Sequence, residues 1–166
     1  MGILDILQPK ASTPVVNSIL PDVAKQEILS GRLPVLNTNK IFLKAKEQCH
    51  YIEKAVYEKK IIHKSYKRKN TGYSVPGLFK GTRVHMGGSN TDVVENAEYQ
   101  LINGLLFITN KRIIFVGKSE GFDKTISSLI AITPYANCID LQFSKENLKI
   151  FLPDGNIANA VFQQLR

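Results

Sequence analysis

The sequence predicts a mainly β fold: a strongly bent antiparallel sheet or small barrel with one amphipathic helix at its C-terminal end. Three observations carry that prediction. The stretch GLLFITNKRIIFVG, residues 104–117, sets two apolar runs on either side of Asn110, Lys111 and Arg112. In CIDLQF, Ile139, Leu141 and Phe143 alternate with Asp140 and Gln142, the period of two that turns one face of a strand toward a core. After a corner at residues 144–147, Leu148, Ile150 and Leu152 repeat the pattern, and the chain closes with Asp154 as a helix cap ahead of Ile157, Ala160, Val161 and Leu165 at helical spacing. Such a helix can bury its apolar stripe over an open end of the bent sheet.

The earlier elements follow in order. Residues 1–17 (MGILDILQPKASTPVVN) join a short apolar start to Pro9 and Pro14 and read as an arm folded back on its own domain. The alternative is that Ile3, Leu4, Ile6 and Leu7 form one turn of amphipathic helix touching a membrane or a partner, and Ile6 stands where a myristoylation signal needs Ser or Thr. A short helix is expected over 21–30, with Pro21 in its first turn, Val23, Ile28 and Leu29 on one face and Gly31 ending it. The next stretch, RLPVLNTNKIFLKAKEQ, reads as an irregular crossing. From Cys49 the period becomes two: His50, Ile52, Lys54, Val56 and Glu58 take one side, Tyr51, Glu53, Ala55 and Tyr57 the other. A corner at Lys59 and Lys60 is expected to turn this strand into a partner containing Ile61 and Ile62. Gly72, Gly77, Gly81, Gly87, Gly88 and Pro76 then mark a long loop or a twisted hairpin.

The order of motifs in GLLFITNKRIIFVG and FDKTISSLIAITPYANCIDLQF resembles the bacterial pleckstrin-homology-like domains and the related GRAM domains. In those families a strand ending in a Thr-Asn-Lys-Arg-like turn leads into an Ile/Leu-Ile-Phe strand, here Thr109 to Arg112 and then Ile113, Ile114 and Phe115. The likeness is close over residues 104–143, looser over 48–99, and absent over 1–40. It implies a partly open seven-stranded antiparallel barrel capped by the C-terminal helix, with residues 1–40 as an N-terminal arm and short helix. Residues 41–166 then form the domain, with a basic, glycine-rich insertion near 64–98. The resemblance also implies a binding or assembly module without catalysis. Many such domains bind phosphoinositides through basic residues of the first strands and their connecting loop, and others bind proteins or oligomerise.

Charge is the strongest global signal. The chain carries a net +8, and residues 54–83 hold nine cations against one carboxylate, Glu58. The excess is local, which points to phosphates or an acidic partner. The candidate anion-binding residues are Lys59, Lys60, Lys64, Lys67, Arg68, Lys69, Lys80 and Arg83, interleaved with Tyr66 and Tyr73. By contrast, Asn110, Lys111 and Arg112 read as a hairpin corner in preference to a ligand site, with cations that point outward and need no partner to explain their position.

Catalysis is not expected. The sequence has no GK[ST] phosphate loop and no GxSxG elbow, and GLFKGT lacks the spacing of a nucleotide loop. Cys49 and Cys138 stand 89 positions apart and read as reduced, partly buried thiols, while His50, His63 and His85 are scattered, so neither metal nor cofactor is expected. No run reaches the roughly 20 apolar residues of a membrane-spanning helix, and the start lacks a secretory signal, so the expected location is cytoplasmic, with peripheral attachment at the inner membrane face. The expected partner is an anionic lipid surface or a protein. The alternatives are nucleic acid or nucleotide phosphate on the basic window, or an interaction role such as a homo-oligomer.

Overall fold

The computed structural model describes residues 13–77, 80, 81 and 83–166, with the side chains of residues 70, 71, 73–76, 84–86 and 89 outside that description. The amphipathic turn expected of Ile3, Leu4, Ile6 and Leu7 and the side chain of Tyr73 therefore lie outside the described residues. Seven strands form one antiparallel sheet: β1 (Cys49–Pro76), β2 (Arg83–Thr109), β3 (Arg112–Gly117), β4 (Gly121–Thr125), β5 (Leu129–Pro134), β6 (Cys138–Phe143) and β7 (Asn147–Phe151). The strand order is β4-β3-β2-β1-β7-β6-β5. Among the described residues two α-helices accompany it, α1 (Asp22–Leu29) and α2 (Gly155–Leu165).

The chain divides into two compact units. The first joins the described residues up to Lys59 to Leu101–Arg166 and contains the core. Flat, a seven-stranded sheet would hold its outer strands about 29 Å apart, six spacings of about 4.8 Å. Yet Phe122 on β4 and Leu129 and Ile132 on β5, the two outermost strands, pack against the same buried cluster. The sheet is therefore strongly bent. Its interior takes Tyr51 and Ala55 from β1, Leu106 and Ile108 from β2, Ile113 and Phe115 from β3, and Leu141 and Ile150 from β6 and β7. Tyr57, Phe115 and Phe122 form an aromatic triangle within it, with ring centroids 5.4–5.8 Å apart.

The C-terminal helix starts where Asp154 accepts a hydrogen bond from the Asn156 amide at 2.8 Å. Val161 is buried and Ile157, Ala160 and Leu165 are half-buried, while Ala158 and Phe162, absent from the expected stripe, are fully buried. The helix packs on β5, β6 and α1. Helix α1 turns Ala24 and Ile28 into the core, with Leu20 buried just ahead of it, and leaves Val23 and Leu29 exposed, so of the face expected from the sequence only Ile28 is buried. Only Ala24 and Ile28, four apart, lie above one another toward α2, whose Gln164 donates to the Ile28 carbonyl at 2.9 Å. Gly31 ends α1 at φ +84°, with its amide donating to the Ile28 carbonyl and that of Arg32 to Glu27.

The expected corner at Lys59 and Lys60 does not exist: β1 runs through both. Alternation persists across them, and Lys59 is held in register by the Glu120 carboxylate. The second compact unit is Lys60–Gln100, made of the distal part of β1, the proximal part of β2 and the turn between them.

Candidate functional site

The eight basic residues singled out in the sequence are divided between the units. Lys59 belongs to the first and is spent on Glu120. The other seven lie in the second, which also holds Asp92, Glu95 and Glu98 and so carries a net +4. Lys64 pairs with Glu95 at 3.2 Å and Lys69 with Asp92 at 3.8 Å, while His63 meets Glu98 at 3.2 Å. These carboxylates come from the returning strand, so a window that reads as almost purely cationic along the chain is partly neutralised across the ladder. Lys60, Lys67, Arg68, Lys80 and Arg83 are exposed and have no carboxylate partner among the described residues.

The cross-strand pairs also fix the faces. His63 with Glu98 and Lys69 with Asp92 join odd positions of β1 to even positions of β2, and Lys64 with Glu95 joins even to odd. One face thus presents Lys60, Ile62, Lys64, Tyr66 and Arg68 beside Val93, Glu95 and Tyr99. The other presents His63, Ser65, Lys67 and Lys69 beside Asp92, Val94 and Glu98. The cations do not converge on one pocket: Lys60, Lys64 and Arg68 are spaced about 13 Å apart along a stripe about 27 Å long. Between them lie apolar side chains open to solvent, Ile62 at 50 %, Tyr66 at 68 %, Val93 at 51 % and Tyr99 at 58 % exposure. The ribbon's side chains at 62–69 and 90–100 are exposed.

The Asn110-Lys111-Arg112 corner is organised differently from the outward-pointing turn its sequence suggests. Arg112 is buried at 8 % exposure, and its Nε and Nη2 donate to Oε1 and Oε2 of Glu47 at 2.8 and 2.9 Å. Its Nη1 reaches Asp123 at 2.7 Å, and Nη2 also donates to the Phe42 carbonyl at 2.8 Å. Thr109 adds its hydroxyl to Glu47 Oε1 at 2.6 Å. Asn110 accepts from the Gln48 amide at 2.8 Å and donates to the Lys46 carbonyl at 3.0 Å, and Lys111 Nζ donates to the Ala45 carbonyl at 2.6 Å. The corner is a clamp on the chain entering β1. The hydrogen-bonded Arg112 guanidinium holds the Glu47 carboxyl down at about 2, against the opposing effect of burial.

That clamp fixes a feature the sequence reading passed over. In NKIFLKAKE, Ile41 packs inward against Cys49, Phe107 and Ile114, whereas Phe42 is 97 % exposed. An isolated Ile-Phe-Leu between lysines, outside any periodic element, is the signal that could have marked it.

A surface cleft of about 540 Å³ lies between Val16, Ala55, Leu105 and Val116, with Lys54 and Lys118 on its rim. Both thiols are free and buried, and burial pushes Cys49 up to about 11 and raises Cys138. No family model, no curated protein and no solved structure matches this chain.

Proposed function

We propose that the chain is a non-catalytic, pleckstrin-homology-like or GRAM-like binding module that docks on an anionic membrane surface, with the Lys60–Gln100 ribbon as its contact. The seven antiparallel strands in the order β4-β3-β2-β1-β7-β6-β5, bent around one core with α2 packed on β5 and β6, support the fold resemblance. The face made of Lys60, Ile62, Lys64, Tyr66 and Arg68 carries the functional reading. Cations spread along a stripe suit a sheet of headgroups better than one bound phosphate, and each contributes about 1 kcal/mol near an anionic leaflet. Aliphatic and tyrosine side chains between them suit the interface between headgroups and acyl chains, where an amphipathic ring has one end wet and the other apolar. Ile62 and Val93, unlike Tyr66 and Tyr99 on the same face, offer no flat surface for base stacking, which sets nucleic acid second. No helix among the described residues is long and apolar enough to cross a membrane, so attachment on this reading is peripheral.

Flotation with neutral vesicles and with vesicles containing phosphatidylserine tests the proposal. Binding is expected only to the anionic ones, and the double reversal K60E/R68E is expected to weaken it at least tenfold. Equal behaviour on the two vesicle types sinks the membrane reading. A salt-titrated gel shift with single-stranded and double-stranded nucleic acid tests the rival, whose affinity falls steeply with salt.

A further inference from the structure

The geometry points to the loop at residues 40–46 as a second membrane anchor, which inserts the Phe42 ring and part of Leu43 into an anionic bilayer while Lys40, Lys44 and Lys46 lie at its headgroups. The inference rests on the bilayer as partner, but uses residues of the first compact unit and none of the ribbon.

Phe42 is 97 % exposed and Leu43 beside it 38 %. A fully exposed phenylalanine is ordinarily a ring that has not found a place to collapse, but here the backbone beneath it is fixed. Its carbonyl accepts from the buried Arg112, and the neighbouring Lys44 amide donates to Glu47 Oε2 at 2.6 Å. The carbonyls of Ala45 and Lys46 accept from Lys111 and Asn110, and Lys46 is held at φ +60°, a backbone conformation uncommon for a residue with a side chain. Ile41, half-buried, packs against Cys49, Phe107 and Ile114 as a footing. The loop is thus ordered at folding, and presenting the ring costs little further entropy on docking, which is the benefit of pre-organisation.

Charge names the occupant. Three exposed lysines stand within seven residues, and the adjoining carboxylate, Glu47, is turned inward onto Arg112 with its side chain wholly buried. An exposed apolar tip with three exposed lysines in the same loop matches the acyl and headgroup layers of an anionic leaflet in character and in sign.

The chain has no tryptophan, so F42W introduces a single tryptophan at the tip, excited selectively over the six tyrosines, without touching the core. Vesicles containing phosphatidylserine are expected to shift its emission to the blue, with quenching by lipids brominated on their acyl chains, and neutral vesicles are expected to do neither. F42A is expected to weaken flotation roughly tenfold, and the shift is expected to persist in F42W carrying K60E/R68E. Flotation of F42W with unmoved emission overturns the anchor and leaves the ribbon reading intact. A blue shift with flotation indifferent to K60E/R68E overturns the ribbon and leaves the anchor. Absence of flotation on every vesicle overturns both, and a protein pocket then becomes the occupant to test for Phe42.

Discussion

Arg112 and Glu47, 65 residues apart in sequence, form a buried two-pronged ion pair that ties the β2–β3 corner to the chain entering β1. Removing one member strands the other in a low-dielectric site, which costs about 3–5 kcal/mol. E47A is expected near the lower end, because Asp123 and the Phe42 carbonyl still receive the guanidinium. R112K keeps the charge but loses the fork, so it too is destabilising. Urea unfolding monitored by circular dichroism measures both. A loss below about 1 kcal/mol in E47A means the pair is not what holds the corner.

The same pair makes stability depend on pH in a defined window. Hydrogen bonding from Arg112, opposed by burial and reinforced by the Lys44 amide and Thr109, brings Glu47 from 4.5 to about 2. A folded value below the unfolded one gives stability that is present above about pH 4.5 and is lost as the pH falls from there toward 2. The full contribution is about 3 kcal/mol at neutral pH. Urea midpoints measured between pH 7 and pH 2.5 are expected to fall steeply in the wild type and less in E47Q, whose side chain does not titrate.

Those two expectations rest on a contact with no local trace in the sequence. Alternation made Ile139, Leu141 and Phe143 legible as a strand, and the spacing after Asp154 made α2 legible, because each pattern repeats within a few residues and answers to one nearby core. Arg112 carries a charge at a turn, and only the fold brings Glu47 to it. Lys59 and Lys60 looked like a corner for a similar reason: two adjacent cations suggest solvent, whereas one of them meets Glu120 from across the sheet. The basic window was legible as a feature, but its partial neutralisation by Asp92, Glu95 and Glu98 required the register of the hairpin. Phe42 escaped because its exposure is a property of the clamp beneath it.

Gly155 opens α2, where alanine would normally favour a helix by about 1 kcal/mol. A Cβ there would stand 2.1 Å from the Cys138 carbonyl oxygen and 2.3 Å from that of Tyr135, both backbone atoms. G155A is therefore expected to be destabilising by about 2 kcal/mol or more, the reverse of the propensity effect. A shift of the urea midpoint upward in G155A contradicts the close approach of α2 to the β5–β6 connection.

Burial sets the chemistry of the thiols. Desolvation, with a smaller push from the Glu47 charge, raises Cys49 to about 11 despite its contact with the Tyr51 carbonyl. At pH 8 its thiolate fraction is about a hundredfold below that of an ordinary cysteine, and access is blocked besides. Iodoacetamide followed by mass spectrometry is expected to leave Cys49 unlabelled in buffer and to label it fully in urea. Rapid labelling of Cys49 in buffer places it outside the core.

The first compact unit holds the whole buried cluster, both helices and all strand pairs from β3 to β7. Replacing Lys60–Gln100 by an Asn-Gly turn joins Lys59 to Leu101 across the antiparallel β1–β2 pair, with the turn residues that suit such a hairpin. The shortened chain is expected to unfold cooperatively within about 1 kcal/mol of the full one, since a two-stranded ribbon without a covered face contributes little stability. Its flotation on anionic vesicles should fall to what the Phe42 loop alone supports, and F42A in that background should abolish it. Failure of the shortened chain to fold makes the ribbon part of the folding unit, whereas undiminished flotation removes the ribbon from the docking surface.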